Sequence, residues 1–248
     1  MAARRLSAVI IAIGGVVALA GFFAWLAADT QTAPVSVAPT VAAVPAGDNG
    51  LDFATEGLPG IVDEAWLDGA SAATGIPHRA LRAYAGAEIA FREDLPGCRL
   101  DWTTLAGIGY VESRHGTLQG GSIDPSGQQV PTIVGIALDG VSTAEVPDTD
   151  GGVLDGDKEW DRAVGPLQFI PSTWEYMGAD GNLDGVKDPQ NIDDAALAAA
   201  RYLCRVGNDV GAAENWITAI GNYNRSVVYN NEVAEATDRY RRAILDAA

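Results

Sequence analysis

The stretch that most limits how this chain can be arranged is the uncharged run from Leu6 to Ala28, LSAVIIAIGGVVALAGFFAWLAA, preceded by Arg4 and Arg5 and closed by Asp29. A helix needs about 20 apolar residues to cross a bilayer, and this run has that length. Arginines ahead of it and none between it and the following domain set the N-terminus in the cytoplasm and send the remainder outside. A cleaved signal peptide is the other reading, because the small residues Ala24, Ala27 and Ala28 stand near its end. Both readings export the chain. Residues 29–51 hold three prolines among Ala, Val, Thr and Ser with no helical or strand period, which predicts a tether that reaches without folding. Residues 52–248 are then expected to form one globular domain behind a segment 1–28 that anchors or exports it.

Charge narrows the partners. The net charge is -17, and leaving out Arg4, Arg5, Asp29 and Asp48 does not change it, so the acidity belongs to the domain. Such a surface repels phosphate backbones and its basic residues form no long cluster, which argues against nucleic acid and for a cation. The two cysteines, Cys98 and Cys204, lie in the exported part. An oxidising compartment favours a disulfide between them; two buried free thiols are the alternative.

Helical signals dominate the domain. Helices are predicted over 62–74, closed by Gly75; from Pro77 to about Arg92; from an Asp101 cap to about Arg114, closed by Gly116; and over 172–177, 194–206, 212–219 and 233–245. Residues 117–160 break this pattern with Gly, Asp and Pro, and predict loops and a small hairpin around 131–137.

Within the third helix, GIGYVESRHG turns from apolar to charged at Glu112. Trp102, Leu105, Ile108 and Glu112 recur at steps of three or four and share one apolar face. A carboxyl group held there loses hydration of its charged form, which raises its pKa and keeps it a proton donor near neutral pH. The competing reading is a helix-end Glu that swings into solvent or pairs with Arg114. Gly107 and Gly109 weaken a helix and suggest that something approaches closely there. Two further stretches carry polar and aromatic groups suited to a sugar: GPLQFIPSTW, with Gln168, Phe169, Ser172 and Trp174, and GNYNRS, with Tyr223 and Asn224.

In order and rough spacing, ES at 112–113, GPLQF at 165–169 and NYN at 222–224 resemble the motifs of lytic murein transglycosylases, nearest to the membrane-bound transglycosylase B type. The resemblance implies a mainly α, lysozyme-like domain with a loop-rich insertion. It implies cleavage of the β-1,4 bond between N-acetylmuramic acid and N-acetylglucosamine in peptidoglycan, in the bacterial cell envelope. Glu112 falls on the family's single catalytic acid, which also serves as base and gives 1,6-anhydromuramoyl ends. Ser113, Gln168, Phe169, Tyr223 and Asn224 fall on positions that support the acid or hold the sugar. No cofactor is implied for the chemistry. Pro166 and Asn222 depart from the family pattern without removing a functional group.

A hydrolytic muramidase using water would need a second carboxylate, for which Asp124, Asp155 and Asp161 are available. A non-catalytic glycan-binding protein is the remaining class. Peptidoglycan strands, the membrane through the N-terminal run, and proteins of cell-wall synthesis are the expected partners.

DGNLDGVKDPQN, residues 180–191, follows the template of a calcium loop. Asp180, Asn182, Asp184 and Asp188 stand at positions one, three, five and nine, Val186 offers its carbonyl at seven, and Gly185 is the turn at six. Asn191 replaces the usual bidentate Glu at twelve. A structural Ca2+ is therefore expected, against a solvated turn that caps the next helix. The other acidic stretch, 148–161, lacks this ordered template and reads as a solvated loop.

Overall fold

The computed structural model describes residues 41–47 and 52–248, so the run 6–28 lies outside the described residues. No helix among the described residues is long and apolar enough to cross a membrane. Eight helices dominate: α1 Phe53–Gly60, α2 Glu64–Thr74, α3 His78–Asp94, α4 Trp102–Ser113, α5 Pro171–Met177, α6 Ile192–Gly207, α7 Ala213–Tyr223 and α8 Val227–Ala247. Four short strands complete the described part: β1 Ser122–Ile123, β2 Gln129–Val130, β3 Val134–Ala137 and β4 Arg162–Val164. This is a mainly helical architecture, consistent with a lysozyme-like fold.

Local chemistry explains most helix ends. The side chains of Asp52, Asp63 and Asp101 each accept a backbone N–H from the first turn of α1, α2 and α4, and Gly75 closes α2 at φ 70°. Helix α1 was not expected from the sequence. It is short, kinked at Gly57 (φ 65°) and contains Pro59. It forms because Leu58 is buried and its N–H donates to the carbonyl of Gly181, 2.8 Å away. Helix α8 begins at Val227, six residues before the expected start, because Ser226 caps it by accepting the N–H of Tyr229. Helix α7 runs on to Tyr223.

Helix α4 is the axis of the domain. It packs mainly against α8 and also against α3. The single apolar face expected from its periodicity is corrected by the structure: Trp102 to Gly109 are buried without interruption. Gly107 and Gly109 make this possible. A Cβ on Gly107 would collide with Thr237 and the Val233 carbonyl of α8, and one on Gly109 with the Tyr84 hydroxyl of α3. The close approach that these glycines suggested is by the chain's own helices.

Residues 117–160 do contain a small hairpin, β1–β2, with Ser122 opposite Val130. The β-prone stretch near 131–137 instead pairs across the insertion, β3 antiparallel to β4, with Val134 opposite Val164. The segment between them, 138–161, is thereby held at both ends against the helical body. Cys98 and Cys204 form a disulfide with Cα atoms 5.5 Å apart, which joins the loop before α4 to α6 and rules out the free thiols.

The chain enters the domain earlier than residue 52. Val41 and Val44 are buried, Gly47 donates to the carbonyl of Ile61 at 3.1 Å, and Ala46 bridges to Val62. Glu88, itself buried, accepts the N–H of Val44 and, through its other oxygen, the N–H of Trp102, both at 2.9 Å. Burial raises Glu88 to about 7, while these two N–H groups act in the opposite direction. The segment that composition assigned to an unfolded tether thus ends in a docked strand-like piece.

Candidate active site

Glu112 sits in the last turn of α4 and is 6% exposed. The chain turns sharply just after it, since Arg114, His115 and Gly116 all have positive φ. Arg114 does not pair with Glu112; its guanidinium lies over the Tyr110 ring, 3.8 Å from the centroid. The Tyr229 hydroxyl donates to Glu112 Oε1 at 2.6 Å, and Oε2 has no hydrogen-bond partner. Burial lifts the carboxyl to about 8, and the Tyr229 hydrogen bond partly offsets this. Glu112 therefore carries its proton at neutral pH, as the apolar setting of its helix implied.

A cleft of about 380 Å³ opens over this carboxyl group. One side comes from the GPLQF turn and α5, with Gln168, Phe169, Ile170 and Thr173. Another comes from the end of α7 and the turn after it, with Tyr223, Asn224 and Arg225, and a third from the insertion, with Leu138, Ala144 and Val146. The turn at Gly165 (φ 77°) admits no side chain, because a Cβ would overlap the Pro189 carbonyl. Gln168, also at positive φ (51°), folds its amide back to the Gly165 carbonyl at 2.9 Å. The Tyr223 hydroxyl donates to the Leu167 carbonyl at 2.8 Å, which fastens α7 to the same turn. Burial pushes the Tyr223 and Tyr229 phenols up, so both remain neutral donors.

Five of the six residues expected at the site, Glu112, Gln168, Phe169, Tyr223 and Asn224, line this one cleft. Ser113 does not. Its hydroxyl is buried, donates to the Pro166 carbonyl at 2.7 Å and accepts the Gly116 N–H at 2.8 Å. It clamps the helix end to the glutamine turn rather than facing a sugar. Phe169 and Trp174 are buried and meet edge to face with centroids 5.3 Å apart, so Phe169 forms part of the cleft wall backed by Trp174, and neither offers an open stacking face. Asn224 accepts the Ser226 N–H at 2.9 Å and shapes the turn into α8.

Sequence reasoning missed Tyr229, the one side chain bonded to the acid. The signal was Ser226 three residues earlier, a helix cap that moves Tyr229 into the first turn of α8. It also missed the insertion wall. None of the three spare carboxylates reaches the cleft. Asp124 accepts Ser126 and Gln128 N–H groups within the hairpin turn, Asp155 accepts the Arg162 N–H, and buried Asp161 takes both the N–H and the hydroxyl of Thr149. His115 is buried between the hydroxyls of Tyr84, at 3.3 Å, and Tyr240, at 2.7 Å. Burial pulls it down to about 3, and the cleft is lined by other residues.

Residues 157–216 match the family model described as a transglycosylase SLT domain. The match supports a lytic transglycosylase enzyme. It covers about a quarter of the 248 residues and takes in Gln168, Phe169, the acidic loop and α6, while Glu112, Tyr223 and Tyr229 lie outside it. An SLT domain implies peptidoglycan as the substrate and an extracytoplasmic place of action. No curated protein and no solved structure matches the chain.

The acidic loop, 180–191, coils around Asp180, whose carboxylate accepts the N–H of Asp184 at 3.1 Å and of Gly185 at 2.9 Å. Gly185 has φ 88°, as the turn position of a calcium loop requires. The twelfth position departs from the template. Asn191 is buried, caps α6 by accepting the Asp193 N–H, and points its amide nitrogen to the Ser126 carbonyl. Asp194 closes the loop instead by accepting the N–H groups of Gly181 and Asp188. The loop keeps the tight turn of the template and lacks its bidentate end. In the second acidic stretch, Asp148, Asp150 and Asp161 lie within 4.8 Å of one another. Their oxygens accept hydrogen bonds from Thr149 and from backbone N–H groups of residues 150–154.

Proposed function

We propose that the enzyme cleaves the β-1,4 bond between N-acetylmuramic acid and N-acetylglucosamine with Glu112 as its single acid and base, leaving 1,6-anhydromuramoyl ends. The observation that carries this reading is the position of Glu112 as the only carboxylate lining the cleft among the described residues. Its proton, retained at neutral pH, passes to the glycosidic oxygen as the bond from that oxygen to the anomeric carbon breaks. The carboxylate left behind then takes the proton of the muramoyl 6-hydroxyl. That oxygen bonds to the anomeric carbon, which closes the anhydro ring and restores the acid without water. Tyr229 holds Oε1 and leaves Oε2 for these transfers. Gln168, Tyr223 and Asn224 form the polar side of the sugar site, and Leu138, Ala144 and Val146 the apolar side.

A hydrolytic muramidase would place a second carboxyl group across the cleft, about 6.5–9.5 Å from the first for an inverting enzyme or about 5 Å for a retaining one. The cleft lining offers none, which favours the intramolecular route. The membrane-bound B type, an anchor at Leu6–Ala28 and a weak Ca2+ site at Asp180, Asn182, Asp184, Val186 and Asp188 belong to the same proposal. Digestion of purified peptidoglycan followed by mass spectrometry tests it. Fragments ending in anhydromuramic acid, lighter by one water than reducing ends, are expected from the native protein and absent with Glu112→Gln. Reducing ends, or full activity of that variant, overturn the assignment.

A further inference from the structure

The cleft over Glu112 is not closed at α5. Thr173 and Tyr202, which line it, also line a second groove of about 350 Å³ whose other walls include Tyr176, Met177 and Arg205. The two spaces meet along that shared edge, and the Tyr202 hydroxyl is fixed there by donating to the Asn222 carbonyl at 2.8 Å. Tyr176, 73% exposed, presents its ring at the far end.

The charges around this continuous groove are unusual for the molecule. In a chain of net charge -17, Arg79, Arg82, Arg99, Arg162 and Arg241 are each paired with a carboxylate. Arg225, in the first cleft, and Arg205, in the second, form no ion pair and no side-chain hydrogen bond with any described residue. Arg114, Arg201 and Arg239 also lack a carboxylate partner, but they engage tyrosine rings or backbone carbonyls, which sets Arg205 and Arg225 apart. These two stand on either side of Tyr202, along the one groove that contains the candidate acid.

Peptidoglycan supplies what they lack. Its glycan strand is neutral along the sugars, and its negative charge comes from carboxylates of the peptide stems carried on the muramoyl residues. We infer that the substrate groove extends from Glu112 across Thr173 and Tyr202 to Tyr176, and that Arg225 and Arg205 take stem-peptide carboxylates of the bound strand. This rests on the proposed peptidoglycan reading and adds a charge-based selection for strands that still carry their stems. Guanidinium groups suit the task, since their planar fork matches a carboxylate.

The test compares strands with intact stems, strands stripped of stems by an amidase and then amidated at the lactyl carboxylates so exposed, and strands whose stem carboxylates are amidated, using the full-length native protein, Arg205→Gln and Arg225→Gln. At low ionic strength the native enzyme is expected to show a KM about tenfold lower for intact than for stripped or amidated strands. Each substitution should reduce that preference about 3- to 10-fold, and added salt should erode it. Tight binding of intact strands by Glu112→Gln, which cannot turn them over, should show the same order. Cleavage of all three substrates with no preference, or a preference that survives both substitutions, overturns the inference and leaves the proposed function standing. Cleavage of none overturns both.

Discussion

Removing the Tyr229 hydroxyl is the most informative single change in the site. Tyr229 is 2% exposed and its ring is fixed in the first turn of α8, so Tyr229→Phe keeps the packing and deletes one hydrogen bond to Glu112 Oε1. Burial raises the carboxyl to about 8 against the opposing effect of that bond. A hydrogen bond to a charged group contributes about 1.5–3 kcal/mol, and one pH unit corresponds to about 1.4 kcal/mol. Without the hydroxyl, Glu112 should titrate about one to two pH units higher. Its second oxygen, Oε2, already lacks a partner, so the variant carboxyl is also free to rotate. Release of soluble fragments from purified peptidoglycan, followed across pH, should show the alkaline limb of the native enzyme near pH 8. The limb should move upward in Tyr229→Phe while the rate at neutral pH falls about 10- to 100-fold through lost orientation. An alkaline limb that stays in place in a folded variant would refute the claim that this hydrogen bond lowers the acid's pKa against burial.

Other consequences concern stability. The folded-state pKa of Glu112 lies above its ordinary value, so its contribution is fully present below about 4.5 and is lost as pH rises through about 8. Glu112→Gln should therefore melt at a higher temperature than the native protein at pH 8 and no differently at pH 4.5; an equal difference at both would contradict the buried, protonated acid. Gly165→Ala puts a Cβ onto the Pro189 carbonyl at φ 77°, and should destabilise by about 3 kcal/mol or more in chemical denaturation. A loss below about 1 kcal/mol would show that the glutamine turn is not as tight as described. Millimolar calcium should raise the melting temperature by a few degrees through the 180–191 loop and lose that effect in Asp180→Ala; identical curves with calcium and with chelator would remove the ion from the proposal.

Much of this was legible in the residues, and the failures have physical reasons. Helices α2 and α4 were readable because Asp101 and Gly75 carry the capping chemistry that ends demand. Helix α1 was not, since Pro59 and Gly57 weaken it locally and its burial against Gly181 is a contact between residues far apart in sequence. The start of α8 was hidden by Val227 and Val228, 63% and 62% exposed, which interrupt an amphipathic pattern; the cost was Tyr229. At the site, Glu112, Gln168 and Tyr223 could be named from their motifs, because each motif is local. The insertion wall could not, because Leu138, Ala144 and Val146 reach the cleft only through the β3–β4 pairing. Periodicity also assigned one apolar face to a helix that is surrounded, which only the paired glycines hinted at.

The docking of residues 41–47 bears on how the molecule carries mechanical load. A pull on the chain ahead of residue 41 reaches the folded body at Val44, not at the start of α1. There the Glu88 carboxylate receives the Val44 N–H, Arg92 donates to the Val44 carbonyl at 2.9 Å, and the second oxygen of Glu88 holds Trp102, the first residue of the helix that ends in Glu112. Force applied at the leading end is thus divided between α3 and the root of α4, and the helix bearing the acid is joined directly to the point where that force enters the fold.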